Sequence, residues 1–241
     1  AQNSGSASAA LSIAAAIAAA REGMSTLLFT EDRHVGGMQT SGLGNTNTGH
    51  PGTIGGLCRE FHNRIHRYYL ERYGQDSSQV KECCQGFYFE PHVALEVYNA
   101  WLAESGVTVL TQEGLKSATL RDGHITSICT EKHRIVSADV FIDASYEGDL
   151  LKVAGCSYHL GREGKDIYGE SLAGVRYPPA RLGEGDRGIQ AYDYRLCLTD
   201  DANNRVPFDK PLDYSRSNYD YHAHVIKNKQ PSSLGQVLPL N

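Results

Sequence analysis

Several places in this sequence carry residue types at spacings that chemistry could use. Between Val35 and Gly56 stand Gly36, Gly37, Gly42, Gly44, Gly49, Gly52, Gly55 and Gly56, and so many permissive positions point to close backbone approach to a ligand or to a tightly folded loop. His34 and His50 lie in or beside that loop and bring acid–base capacity to it, a structural role being the ordinary alternative. Cys58, His62 and His66 recur every fourth residue and share one helical stripe, which is metal-ligand chemistry in the right order. The stripe lacks the glutamate of a metalloprotease motif, and plain helix polarity explains it more simply. His222 and His224 flank Ala223 and read as surface positions. Arg162, Glu163, Tyr168 and Glu170 form a dense polar group, either a substrate-facing cluster or solvated ion pairs. The tyrosines of Tyr192–Tyr194 and Tyr214–Tyr221 could stack on sugars, although ordinary packing accounts for them. Nothing fixes a nucleophile elbow, so no Ser-His-Asp arrangement is argued.

The elements that must position these residues follow from local pattern. An alanine run with Ile13 and Ile17 four apart predicts a helix over residues 9–22, stopped by Gly23. Thr26–Thr30 has the length and apolarity of a buried parallel strand, so the two form the second half of a βαβ unit. Leu57, Phe61, Ile65 and Tyr68/Tyr69 share a face of an amphipathic helix reaching Tyr73. Pro91 opens another helix, to about Ser105, at a position proline tolerates. Gly106 ends it, and Val107–Leu110 reads as a second parallel-type strand. Residues 115–136 change character: Leu115–Leu120, Ile125–Thr130 and Arg134–Val136 are short strands, with Asp122-Gly123 as a hairpin turn. Ala138–Ile142 returns to the buried-strand pattern. Toward the end, Tyr194–Leu198 reads as a strand and Tyr219–Lys227 as a helix.

Strand, glycine turn, helix and strand is how proteins hold dinucleotides, with the pyrophosphate at a helix N-terminus and an acid at the second strand's end taking ribose hydroxyls. The helix and second strand are present here. The glycine turn is not: residues 1–6 are polar, and the fingerprint positions fall near Ala7, Ala9 and Ser12. The strand-end acid is Glu31, one residue late.

Arg33-His34-Val35-Gly36-Gly37-Met38-Gln39-Thr40-Ser41-Gly42-Leu43-Gly44 resembles the RHLGGM-TSGLG segment of a bacterial family of FAD-dependent oxidoreductases, within the glutathione-reductase-like flavoproteins. The resemblance continues through Ile54–Leu57, Arg59-Glu60-Phe61, Phe89–Val93, Gly106–Leu110 and Phe141–Leu150, and resumes at Gly161-Arg162-Glu163 and Tyr168-Gly169-Glu170. It implies an α/β fold: an FAD/NAD(P)-binding three-layer (ββα-type) domain over 1–155, with a small antiparallel insertion at about 115–136. Residues 156–241 would be part of a substrate domain. The cofactor implied is FAD, accepting hydride from a small-molecule substrate, with the protein supplying placement and electrostatics. By the same resemblance, Arg33, Gly36, Gly37 and Met38 line the path from pyrophosphate to isoalloxazine, where an arginine can neutralise the dianion. Ser41, Gly42, Leu43 and Gly44 approach the ring through backbone, Val109 lies on the adenine side, and Ala144, Ser145 and Glu147 close over the cofactor.

Composition narrows the rest. The chain has 241 residues, 40% of them hydrophobic and 21% charged, with a formal net charge of −5, the profile of a globular chain. A mildly acidic balance without Lys/Arg blocks speaks against nucleic acid as a partner, and the Ala7–Ala20 stretch is too short for a membrane span. Six cysteines without CxxC spacing read as reduced thiols. The missing glycine turn, and an end at Asn241 where relatives continue, mark the chain as an N-terminal fragment or truncated product. The rival expectations are an inactive fragment without FAD and a carbohydrate-binding or carbohydrate-active protein.

Overall fold

In the computed structural model the described residues are 8–189, 197–199, 201–207 and 209–230. The chain divides into two compact units, Ala1–Cys197 and Leu198–Asn241. The first opens with helix α1, Ser8–Arg21. Gly23, at φ +83°, ends it in a left-handed turn: its N–H donates to Ala20 O at 3.0 Å and that of Met24 to Ala19 O at 3.1 Å, so the last carbonyls of the helix are satisfied. Strand β1, Leu27–Phe29, follows.

Three helices come next: α2 (Gly56–Tyr73), α3 (Ser78–Glu82) and α4 (Pro91–Glu104). Strand β2, Thr108–Leu110, then runs parallel to β1, pairing Leu28 with Val109. The core is the shared interior of these elements. Ile13 and Ile17 from α1, Phe61 and Ile65 from α2, and Val93 and Trp101 from α4 are all buried. The apolar periodicity of the helices therefore points inward as their sequence requires. Over the Trp101 ring lie the guanidinium groups of Arg21 and Arg64, 5.6 and 4.7 Å from its centroid. Glu60 receives both arginines, at 2.7 and 3.2 Å.

The antiparallel insertion is a meander of β3 (Leu115–Arg121), β4 (His124–Thr130) and β5 (Ile135–Ser137). Asp122 and Gly123 turn its first hairpin at φ +52° and +78°, the two left-handed positions that Asp-Gly supplies. Glu113 ties the meander to the parallel pair. Its backbone N–H donates to Thr30 O at 2.8 Å, while its buried carboxylate accepts from Thr130 Oγ1 at 2.6 Å and faces Lys132 and Arg134 at 3.6 and 3.5 Å. The Thr130 hydrogen bond, helped by those cations against burial, holds this carboxyl below its usual range.

One expected element is corrected. Ala138–Ile142 is not a strand: among the described residues it pairs with no other, and Val140 and Ile142 are 73% and 62% exposed. An apolar run becomes a buried strand only where a neighbour supplies its ladder and a layer covers it. After it come two short helices, α5 (Asp149–Val153), which packs on β3, and α6 (Lys165–Tyr168). In the second unit α7 spans Asp220–Lys229, slightly beyond the expected helix. The strand expected at Tyr194–Leu198 and the polar residues 1–6 lie largely or wholly outside the described residues. No helix among the described residues is long and apolar enough to cross a membrane.

Candidate functional site

Beyond β1 the chain enters the glycine-rich loop at the carboxyl end of the parallel pair, where open α/β sheets bind ligands. The loop is built rather than slack. Thr30 N–H donates to Leu110 O at 2.9 Å and Gln112 N–H to Asp32 O at 2.9 Å, which extends the pairing past both strand ends. Glu31 and Arg33 are exposed there, and Asp32 is half-buried. Burial and then the neighbouring Glu31 charge push the Asp32 carboxyl up, with His34 opposing.

The backbone then folds into a tight turn, Gly37–Thr40, one 3₁₀ turn packed on α1 and α4. Gly36 enters it at φ 100° and ψ −9°. A Cβ at Gly36 would lie 2.3 Å from Thr40 Cγ2 and 3.1 Å from the Tyr98 ring, so glycine is required by both the dihedral and the packing. Thr40 is buried and its hydroxyl donates to Val35 O at 2.8 Å, with Gly37 O at 3.1 Å. Tyr98, stacked on Phe61 with centroids 4.4 Å apart, donates to Gln39 Oε1 and pins the turn to α4. Burial pushes the Tyr98 phenol well above its usual range, so it stays a donor.

The rest of the loop is held by backbone. Leu43 N–H donates to Met38 O at 2.9 Å. Phe89 N–H donates to Gly44 O at 2.8 Å and Thr46 N–H to Phe87 O at 3.1 Å. A Cβ on Gly44 would meet Phe89 O at 2.1 Å. Gly44 therefore serves the chain's own packing. Nearby, His62 is fully buried and donates from Nδ1 to Gly86 O at 2.9 Å; burial, against that hydrogen bond, lowers its pKa.

The structure thus gathers Arg33, Gly36, Gly37, Met38, Ser41, Gly42, Leu43 and Gly44 into one ordered loop, with Ser12 half-buried on α1 and Val109 half-buried in β2. Ala144, Ser145 and Glu147 belong to the turn that leads into α5. Asp143 organises that turn, accepting from Ser145 N, Ser145 Oγ and Leu151 N at 2.9, 2.7 and 2.8 Å. Burial opposes its charge, but those hydrogen bonds prevail and hold its carboxyl below the usual range.

A family model described as FAD dependent oxidoreductase matches residues 5–239. The chain belongs to the FAD-dependent oxidoreductase family. Its cofactor is accordingly FAD, its fold is an α/β FAD-binding fold, and the match favours the flavin reading over carbohydrate binding. Among solved structures, L-proline dehydrogenase from P. horikoshii is similar at a TM-score of 0.40 and 14% identity, over 63% of this chain. The chain spans 55% of the length of that structure. No curated protein matches.

An exposed arginine and an acid stand at the carboxyl end of a parallel strand, beside a turn whose glycines are buried. The other polar groups have different roles. His66 Nδ1 lies 3.4 Å from Cys83 Sγ, Cys58 is exposed, and among the described residues no cluster of three or more His, Cys, Asp or Glu could hold a metal. Arg162 pairs with Asp186 rather than Glu163 or Glu170, and the two residues exchange backbone hydrogen bonds at 2.8 and 2.9 Å. A cavity of about 640 Å³ lies beside that clasp, lined by Tyr158, His159 and Ile167 among others. Sequence reasoning missed Thr40, Gln39 and Tyr98. Thr40 sits inside the motif, four residues after Gly36, and that spacing was the available signal. Tyr98 carries none, since only packing brings α4 to the loop.

Proposed function

We propose that this family member transfers hydride from a small organic substrate to FAD held along the loop that follows β1. The observation that carries this is the Gly36–Thr40 turn, locked by Thr40 and Tyr98 at the carboxyl end of a parallel pair. Such a turn keeps its shape without needing to reorganise when a ligand arrives beside it. In this reading Arg33 neutralises the pyrophosphate, and Gly36, Gly37 and Met38 line its path toward the ring. Glu31 takes ribose hydroxyls, and Ser12 stands at the α1 end of the phosphate path. Ser41 to Gly44 approach the ring by backbone, Val109 borders the adenine side, and Ala144, Ser145 and Glu147 cover the cofactor. FAD, when bound, supplies the two-electron acceptor; the residues supply position, charge and exclusion of water. Residues 1–155 form the three-layer cofactor domain and 156–241 the substrate region, whose described cavity has the size small ligands occupy.

The test is to mix purified chain with FAD, remove free cofactor by gel filtration and record the visible spectrum. Retained flavin absorbance supports the reading, and a colourless protein refutes it. Arg33→Ala should weaken FAD binding roughly ten- to a hundredfold, the range for a lost charge-assisted contact.

A further inference from the structure

The cavity of about 640 Å³ draws its lining from two segments that cross at the antiparallel Arg162–Asp186 bridge. A Cβ on Gly161 would lie 2.2 Å from Asp186 O, and one on Gly164 3.1 Å from Gly185 N, so the crossing is backbone on backbone. Arg162 and Asp186 close it with a two-pronged ion pair, Nε to Oδ1 at 2.8 Å, and Gly188 N–H donates to the same oxygen at 2.9 Å. Those two charges are committed to the frame. Other charges on the lining are not. Glu163 and Asp166 stand on one segment and Arg187 on the other, beyond opposite ends of the bridge. Among the described residues none of the three forms an ion pair, with one another or elsewhere. The neighbouring cations are accounted for: Arg181 reaches Glu184 at 3.0 Å, and the Lys165 stem lies against Gly183 and is not part of the lining. Tyr158, Leu160 and Ile167 give the cavity its apolar surface.

A small-molecule site fixes its ligand with a few polar groups set in an apolar lining. Here those groups carry both signs and stand too far apart to neutralise each other, so a ligand with one charge would satisfy only one side. We propose that this cavity binds a small zwitterion, an α-amino acid with an apolar side chain. Arg187 takes its carboxylate, Glu163 and Asp166 its ammonium, and Tyr158, Leu160 and Ile167 its side chain. The guanidinium fork matches a carboxylate, and two acids offer acceptors to the three ammonium protons. The closed Arg162–Asp186 clasp holds both segments in place before the ligand arrives. That this ligand is the substrate rests on the FAD reading above; that the cavity binds it rests on the cavity alone.

The test titrates L-phenylalanine, phenethylamine and 3-phenylpropionate into the ¹⁵N-labelled full chain without FAD, near neutral pH, and reads affinity and location from the amide shifts. Phenylalanine should bind saturably, with shifts confined to residues 158–187. It should bind about tenfold more tightly than either analogue, each of which lacks one charge, the size of one lost charge-assisted contact at a solvent-accessible site. Arg187→Gln should weaken phenylalanine about tenfold without weakening phenethylamine. Glu163→Gln combined with Asp166→Asn should weaken phenylalanine and phenethylamine alike without weakening 3-phenylpropionate, so each charge is matched to its partner. Lys165→Gln, at a cation beside the cavity but outside its lining, should change nothing. Phenylalanine binding no tighter than its analogues overturns the proposal, as does an Arg187→Gln effect that Lys165→Gln reproduces. A chain that binds phenylalanine here but retains no FAD overturns the FAD reading and leaves the site standing; one that retains FAD but binds no phenylalanine does the reverse.

Discussion

Replacing Gly36 with alanine tests whether the turn at the head of the loop is built as described. Gly36 sits at φ +100°, where a non-glycine residue costs about 1–2 kcal/mol. The added methyl would also stand 2.3 Å from Thr40 Cγ2, 2.9 Å from Thr40 Oγ1 and 3.1 Å from the Tyr98 ring. Thr40 cannot rotate away without breaking its bond to Val35 O, and forced overpacking of this kind costs about 1–3 kcal/mol. The sum is about 2–5 kcal/mol, a large part of the roughly 5–15 kcal/mol that holds a domain together. Trp101 is the single tryptophan and lies in the core of the same unit, so its fluorescence in urea reports the relevant transition. Thr40→Ser removes the methyl that clashes, and Gly36→Ala measured in that background should cost about 1–2 kcal/mol less than in the wild type. A Gly36→Ala protein within about 0.5 kcal/mol of wild type, or no coupling to Thr40→Ser, would refute the packing described.

Ile17→Ala, at a fully buried position on α1 within the core, should cost about 2–5 kcal/mol by the same fluorescence assay; a smaller loss would mean α1 does not close this core. Stability should depend on pH in two windows. His62 has a folded pKa below its ordinary 6.5, chiefly through burial. The unfolded chain therefore binds the proton first, and stability falls as pH drops below about 6.5 until the folded value is passed. Glu60, held low first by its hydrogen bond from Arg21, and Asp143, held low by Leu151 and Ser145 against burial, act further down. Their stabilisation is present above about pH 4 and is lost as pH falls through the depressed folded values. Urea midpoints from pH 7.5 to 5 should slope for the wild type and flatten for His62→Gln; equal slopes would contradict the assignment. Glu113→Gln should speed amide hydrogen exchange across β3–β5 while α1 and α4 stay protected, and an unchanged meander would show that Glu113 does not anchor it.

The amino-acid order by itself determined the elements whose causes are local. Alanine-rich α1 with Gly23 behind it, the apolar stripe of α2, Pro91 opening α4 and Asp122-Gly123 turning the meander all act within a few residues. Each therefore stands close to its expected place. The glycine loop was visible too, with its family likeness. What individual glycines are for was not, because Gly36 answers to Thr40 and Tyr98, and Gly44 to a carbonyl on Phe89. Ala138–Ile142 makes the same point in reverse: its apolar run is strand-like, but a strand exists only when another chain segment completes its hydrogen bonds. Composition and periodicity fix what a segment prefers; only the folded chain decides which atoms stand within three ångströms of one another, and the chemistry of the site depends on that.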